Sequence, residues 1–140
     1  MPELSFLVHS EAEVRPTEDP QKVKKAVTNV LRGEVEFRQL DEWGGKVILD
    51  GKNQPSLERF RMILQRDRIR AAARSVLRRS VEGNRIVFYL NKQAAYAGHV
   101  SFSAPEGESP LGPIQVIVET ENTDQLIDWL AGQREERRRD

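Results

Sequence analysis

The chain has 140 residues, the length of one domain, with 38% hydrophobic residues, 31% charged residues and a formal net charge of zero. It contains no cysteine, which excludes a disulfide framework and a cysteine-ligated zinc site, and its two histidines lie far apart, so no metal or cofactor is expected. No apolar run reaches the roughly 18–20 residues of a membrane span, and the start MPELSFLVHSEAEV lacks the basic region and apolar length of a signal peptide, so a cytoplasmic location is expected.

Residues 4–15 alternate, with Phe6, Val8, Ala12 and Val14 on one face and His9, Glu11, Glu13 and Arg15 on the other, which predicts a half-buried strand. A helix follows. Asp19 is its predicted cap and Pro20 its first residue, where a missing N–H costs nothing. Val23, Ala26, Val27, Val30 and Leu31 form its buried stripe, and Gly33 is the predicted stop. Residues 34–40 and 46–49 read as strands joined by a turn at Trp43, Gly44 and Gly45. Residues 50–55 read as a loop, with Ser56 capping the next helix.

Residues 57–79, LERFRMILQRDRIRAAARSVLRR, hold eight arginines. At about 100° per residue, Leu57, Phe60, Ile63 and Leu64 share one side, while Ile69, Ala72, Ala73, Val76 and Leu77 share another. One straight helix cannot bury both stripes, so a break is predicted at residues 65–68. After a turn at Glu82, Gly83 and Asn84 come a strand at 85–90 and a short helical turn ending at Gly98. Residues 99–104 alternate, with Val100 and Phe102 inward, and 105–113 form a proline-rich loop. A strand at 114–120 precedes a last helix capped by Asn122 or Thr123, with Leu126, Ile127 and Leu130 inward. The expected fold is α+β: one domain over residues 1–133, a twisted, largely antiparallel sheet with helices packed on one face, and a charged, frayed tail at 134–140.

The zero net charge hides an asymmetry. Residues 56–80 set eight arginines against Glu58 and Asp67, whereas residues 93–133 contain six acids and no Lys or Arg. On the second of the two helices, Arg70, Arg74 and Arg78 recur every four residues opposite the apolar stripe, flanked by Arg68 and Arg79. Asp67 beside Arg70 and Glu82 beside Arg78 are expected to relieve the repulsion of like charges in part. The face reads either as a phosphate-binding ridge, with Lys92 assisting, or as a solvated helix surface; a dock for an acidic protein is a third reading. Asn91, Lys92 and Gln93, at a strand end opening into a helical turn, are candidates for contact with an anion or a base edge. Against that, Asn91 could simply cap the turn while Ala94 and Ala95 pack. Phe88 and Tyr89 are candidates for either core or a base-stacking platform.

Catalytic signals are poor. There is no glycine-rich phosphate loop, no Gly-x-Ser-x-Gly elbow and no His-Glu-x-x-His. His9, Glu11 and Glu13 share one strand face and form the one acid–base candidate. The expectation is a protein that is not an enzyme.

The segments EAEVRPTEDPQKVKKAVTNV, SLERFRMILQRDRIRAAARSVL and NKQAAYAGHVSF, in this order, resemble uncharacterised protein family 0201. Its members are small archaeal proteins grouped with proteins described as RNA-binding, and the resemblance covers residues 4–130. It implies archaeal origin and a fold similar to the large-subunit ribosomal protein that binds the small ribosomal RNA. Relatives fused to a nucleotide-kinase-like domain imply an alternative role as an interaction module docking on an acidic or kinase-like partner. The family pattern marks Arg15, Pro16, Thr17, Glu18, Asp19 and Pro20, and Asn91, Lys92, Gln93, Ala94 and Ala95, without assigning them a role. The expected partner is RNA, and the expected state is monomer or homodimer.

Overall fold

A computed structural model describes residues 4–105 and 111–132. Six strands form one antiparallel sheet: β1 (Leu7–Val14), β2 (Glu34–Asp41), β3 (Gly44–Lys52), β4 (Val81–Glu82), β5 (Arg85–Asn91) and β6 (Pro113–Glu119). Their spatial order is β2-β3-β1-β6-β5-β4. The helices are α1 (Pro20–Val30), α2 (Asn53–Arg66), α3 (Arg70–Arg79), α4 (Lys92–Tyr96) and α5 (Thr123–Ala131). The architecture is α+β, as the patterning predicts.

Alternation divides the sheet into two faces. Val8, Ala12 and Val14 of β1, Val47 and Leu49 of β3, Ile86, Phe88 and Leu90 of β5, and Ile114, Val116 and Val118 of β6 are buried beneath the helices. Leu57, Phe60 and Leu64 of α2 are fully buried in the same core, each worth about 1.5–3 kcal/mol in water removed from apolar surface. Phe60 meets Phe88 at 5.7 Å and Phe102 at 6.3 Å, ring centre to ring centre. Phe88 therefore belongs to the core, and Tyr89 points to the opposite, open face.

The predicted break between α2 and α3 is present. Arg68 takes a left-handed conformation (φ 58°) between them, which lets the stripe of α2 and the buried Ala73 and Leu77 of α3 both reach the core. Asp19 caps α1, accepting from the Gln21 N–H at 2.9 Å, and Asn122 caps α5 through the Gln125 N–H at 3.0 Å.

Several boundaries differ from expectation. Helix α1 ends at Val30 with extended Leu31 as its C-cap, so Gly33 is not a helix stop. Gly33 is needed because a Cβ there would collide with the Asp50 carbonyl of β3. The β2–β3 turn is Glu42 and Trp43, and both following glycines lie in β3. That strand runs on to Lys52, so the expected loop at 50–55 is mostly strand and helix. Ser56 does not cap α2; it sits inside the first turn and its hydroxyl donates to the Asn53 carbonyl at 2.7 Å. Residues 99–104 form one bridge, Leu90 to Phe102, rather than a full strand. Residues 106–110 of the loop expected at 105–113, and the tail expected at 134–140, lie outside the described residues, while Pro113 begins β6.

Candidate nucleic-acid interface

The eight arginines of residues 57–79 do not share one environment. Arg74 is half-buried: its Nη1 donates to the Ala131 carbonyl at 2.7 Å, closing the C-terminal end of α5. Arg61 stacks on Trp129, 5.3 Å from the ring centre, and donates to the Trp129 carbonyl at 2.9 Å. Arg66 makes a two-point contact with Asp67 at 2.9 and 3.1 Å and also donates to the Gly98 carbonyl at 2.8 Å. The Arg66 guanidinium, with His99 beside it, holds the Asp67 carboxyl down at about 2. Asp67 thus serves Arg66 and His99, rather than the relief of Arg70 expected from the sequence.

The expected ridge is therefore incomplete. Arg70 and Arg74 are half-buried and each has an interaction partner. Arg68, Arg78 and Arg79 are exposed, and Arg79 donates to the Ser75 hydroxyl at 3.1 Å.

Lys92 departs furthest from its expected role. It is 5% exposed. Its ammonium donates to the Glu13 carbonyl at 2.6 Å, the Leu111 carbonyl at 2.7 Å and both carboxylate oxygens of Glu18 at 3.2 Å. All its donors are used by these acceptors. Burial lowers its pKa, against the pull of Glu18. Glu18 also accepts from the Arg15 N–H at 2.9 Å. The two segments marked by the family pattern, 15–20 and 91–95, are thus joined through one buried ion pair. Asn91 is also committed, because its side-chain oxygen caps α4 through the Ala94 N–H at 2.9 Å. Gln93 is exposed.

On the open sheet face His9 is gripped from both sides, by Asp50 at 2.7 Å and Glu11 at 2.8 Å, and Lys46 meets Glu11 at 2.9 Å. Both ring nitrogens are engaged by carboxylates. Partial burial opposes the charge, but the hydrogen bonds to Asp50 and Glu11 outweigh it and raise the pKa above 6.5. Glu13 lies opposite Lys46 in the sheet and makes its ion pair with Arg15 at 3.7 Å.

A further concavity lies elsewhere. A groove of about 1160 Å³ runs between α1, α2 and α4. Lys25, Arg32, Arg59 and Arg66 line it, with Glu58 as the one acid among the described residues. Among the described residues, Lys25, Arg32 and Arg59 make no side-chain hydrogen bond or ion pair, and all three are exposed. Met62 (58% exposed) and Tyr96 (43% exposed) supply apolar surface beside them. The wall that carries Tyr96 is fixed. Asn29 of α1 donates to the Ala95 and Tyr96 carbonyls at 3.1 and 3.0 Å, while Arg66 of α2 holds Gly98. Beyond Tyr96 a smaller cavity of about 350 Å³ is lined by Lys22, Gln93 and Lys92 among others. Lys25, Arg32, Arg59 and Tyr96 are not among the binding candidates that the sequence pattern selects. The available signal was the polar stripe Lys22, Lys25 and Asn29 on α1, three and four residues apart, opposite the buried stripe.

Comparison with known proteins agrees with the fold. A family model described as RNA binding matches residues 7–120. A UPF0201 protein of Aeropyrum pernix is 45% identical over 124 residues, covering 86% of this chain and 81% of that protein. One from Pyrobaculum neutrophilum is 47% identical over 126 residues, covering 89% and 87%. The crystal structure of the UPF0201 protein from Methanococcus jannaschii superposes with a TM-score of 0.79 at 36% identity, over 89% of this chain and 98% of that one. A second UPF0201 crystal structure gives a TM-score of 0.75 at 30% identity, over 91% and 94%. With its model match, archaeal relatives and shared fold, the chain belongs to uncharacterised protein family 0201.

Proposed function

We propose that this protein binds RNA through the groove between α1, α2 and α4. The observation that carries the reading is three exposed cations, Lys25, Arg32 and Arg59, that line one concavity and have no partner among the described residues. An unpaired cation exchanges only counterions and water for a phosphate, so its contact is a net gain that weakens with salt. Tyr96 offers a ring face at the groove wall, suited to an unstacked base. Lys22 and Gln93 extend the polar track past Tyr96. Exposed Arg68, Arg78 and Arg79 form a second, outlying contact, which keeps part of the arginine-rich helix in the binding surface. The family description as RNA binding supports the partner class, and the ribosomal-protein likeness implied by the family belongs to the same reading.

The test is a fluorescence-anisotropy titration against a short single-stranded RNA and a short duplex at several salt concentrations. The triple variant K25Q/R32Q/R59Q is expected to lose affinity and to lower the single-strand salt slope by about 2, at roughly 0.7 per lost phosphate contact. Wild-type protein that binds neither RNA at low salt overturns the proposal. So does a triple variant with an unchanged slope. Binding of polyglutamate in place of RNA moves the groove to an acidic protein partner.

A further inference from the structure

The two edges of the sheet are treated differently. The free edge of β5 is covered by β4 at Arg85 and Ile86. Further along, the Asn91 N–H donates to the Ser101 carbonyl at 2.9 Å and the Ser103 N–H to the Tyr89 carbonyl at 2.9 Å. At the other end β2 presents eight residues, Glu34–Asp41, with no strand beyond it among the described residues. Proteins blunt such an edge with proline, with charged side chains or with a bulge, and charges keep a second copy away only where like signs meet. β2 has no proline, its register shift lies only at the end between Gln39 and Asp41, and its open-face charges are mixed.

We propose that β2 is a dimerisation edge: two copies pair β2 antiparallel about a two-fold axis at Phe37, joining two six-stranded sheets into one.

The sequence of the strand, EVEFRQLD, selects this register. Directly opposed residues of an antiparallel pair share a face. Centring on Glu36 sets Glu36 against the partner's Glu36. Centring on Arg38 sets Arg38 against the partner's Arg38 and Val35 against the partner's Asp41. Centring on Val35 sets Glu34 against the partner's Glu36. Centring on Gln39 runs the pairing into the register shift and the turn. At Phe37, Glu36 faces the partner's Arg38 twice over, with no like charges opposed. On the helical face Phe37 meets the partner's Phe37 and Val35 meets the partner's Gln39. Within the monomer Arg38 lies opposite Lys46 on β3 and holds only its own neighbour Glu36, at 3.3 Å. A second carboxylate from the partner relieves that like-charge pair. Leu40, 57% exposed, packs beside the partner's Glu34 stem.

The experiment is sedimentation equilibrium over a concentration series, with E36R and R38E made separately. Wild type is expected to reach twice the monomer mass of 16.0 kDa. Each single variant opposes like charges at both symmetry-related contacts and is expected to weaken association by about tenfold or more. Mixing E36R with R38E restores unlike charges at both contacts and is expected to recover the dimer. These residues are exposed, so both variants fold, which circular dichroism checks. A wild type that stays monomeric at every concentration overturns the proposal. So does a dimer that neither variant weakens, or a mixture that fails to reassociate.

Discussion

The cations of the α1–α2–α4 groove and two of the cations first singled out by charge pattern, Arg74 of α3 and Lys92, look alike in the sequence and differ in the structure. Lys25, Arg32 and Arg59 are exposed and make no side-chain hydrogen bond or ion pair among the described residues. Arg74 closes a helix end, and Lys92 is enclosed by two carbonyls and a carboxylate. A positive charge is available to a polyanion only when the fold has not already supplied its acceptors. Buried helix ends and strand ends need such donors, because their carbonyls are otherwise left unpaired.

The largest expected effect tests Lys92. The variant K92M leaves Glu18 charged and buried and strands two carbonyls, so it should cost about 3 kcal/mol or more in urea unfolding. The folded fraction should bind RNA as wild type does. An intact fold with weakened RNA binding would move Lys92 to the binding side of the comparison.

A smaller loss is expected for Arg74. R74A removes the donor at the end of α5 and should cost about 1.5 kcal/mol, with the RNA salt slope unchanged. A slope lowered as much as by a groove cation would return Arg74 to the ridge.

The smallest effect concerns His9, a cation held by carboxylates on the opposite face of the sheet. Its folded pKa lies above 6.5. Its stabilising contribution is therefore complete below the unfolded value and is lost as pH rises through the folded one. An NMR titration should place the midpoint above 6.5, and D50N should bring it down. A wild-type midpoint below 6.5 would show that burial, not the two carboxylates, governs this residue.

Legibility followed the range of the interaction. Asp19 as a cap, Pro20 as a first turn and the break before Arg70 were readable, because each depends on residues within one helical turn. Gly33 and Ser56 were misread for the complementary reason. Both look like local signals, yet Gly33 answers to the close approach of β3, and Ser56 lies within a helix that already begins at Asn53. The site was less legible than the fold. Eight arginines in one segment drew the eye, while the groove is assembled from α1, α2 and α4, whose residues are dozens of positions apart.

By itself the sequence determined the α+β architecture, the buried faces and the two-helix solution for residues 57–79. Periodicity reports which side of an element must leave water, and that is settled by hydrophobic spacing alone. Only the tertiary structure decided which charges are spent and which are free. That depends on acceptors brought in from distant segments: the Glu13 and Leu111 carbonyls and Glu18 for Lys92, Ala131 for Arg74, and none among the described residues for Lys25, Arg32 and Arg59. A charge's electrostatic worth is set by its neighbours in space, and sequence spacing does not encode those across a sheet and two helical layers.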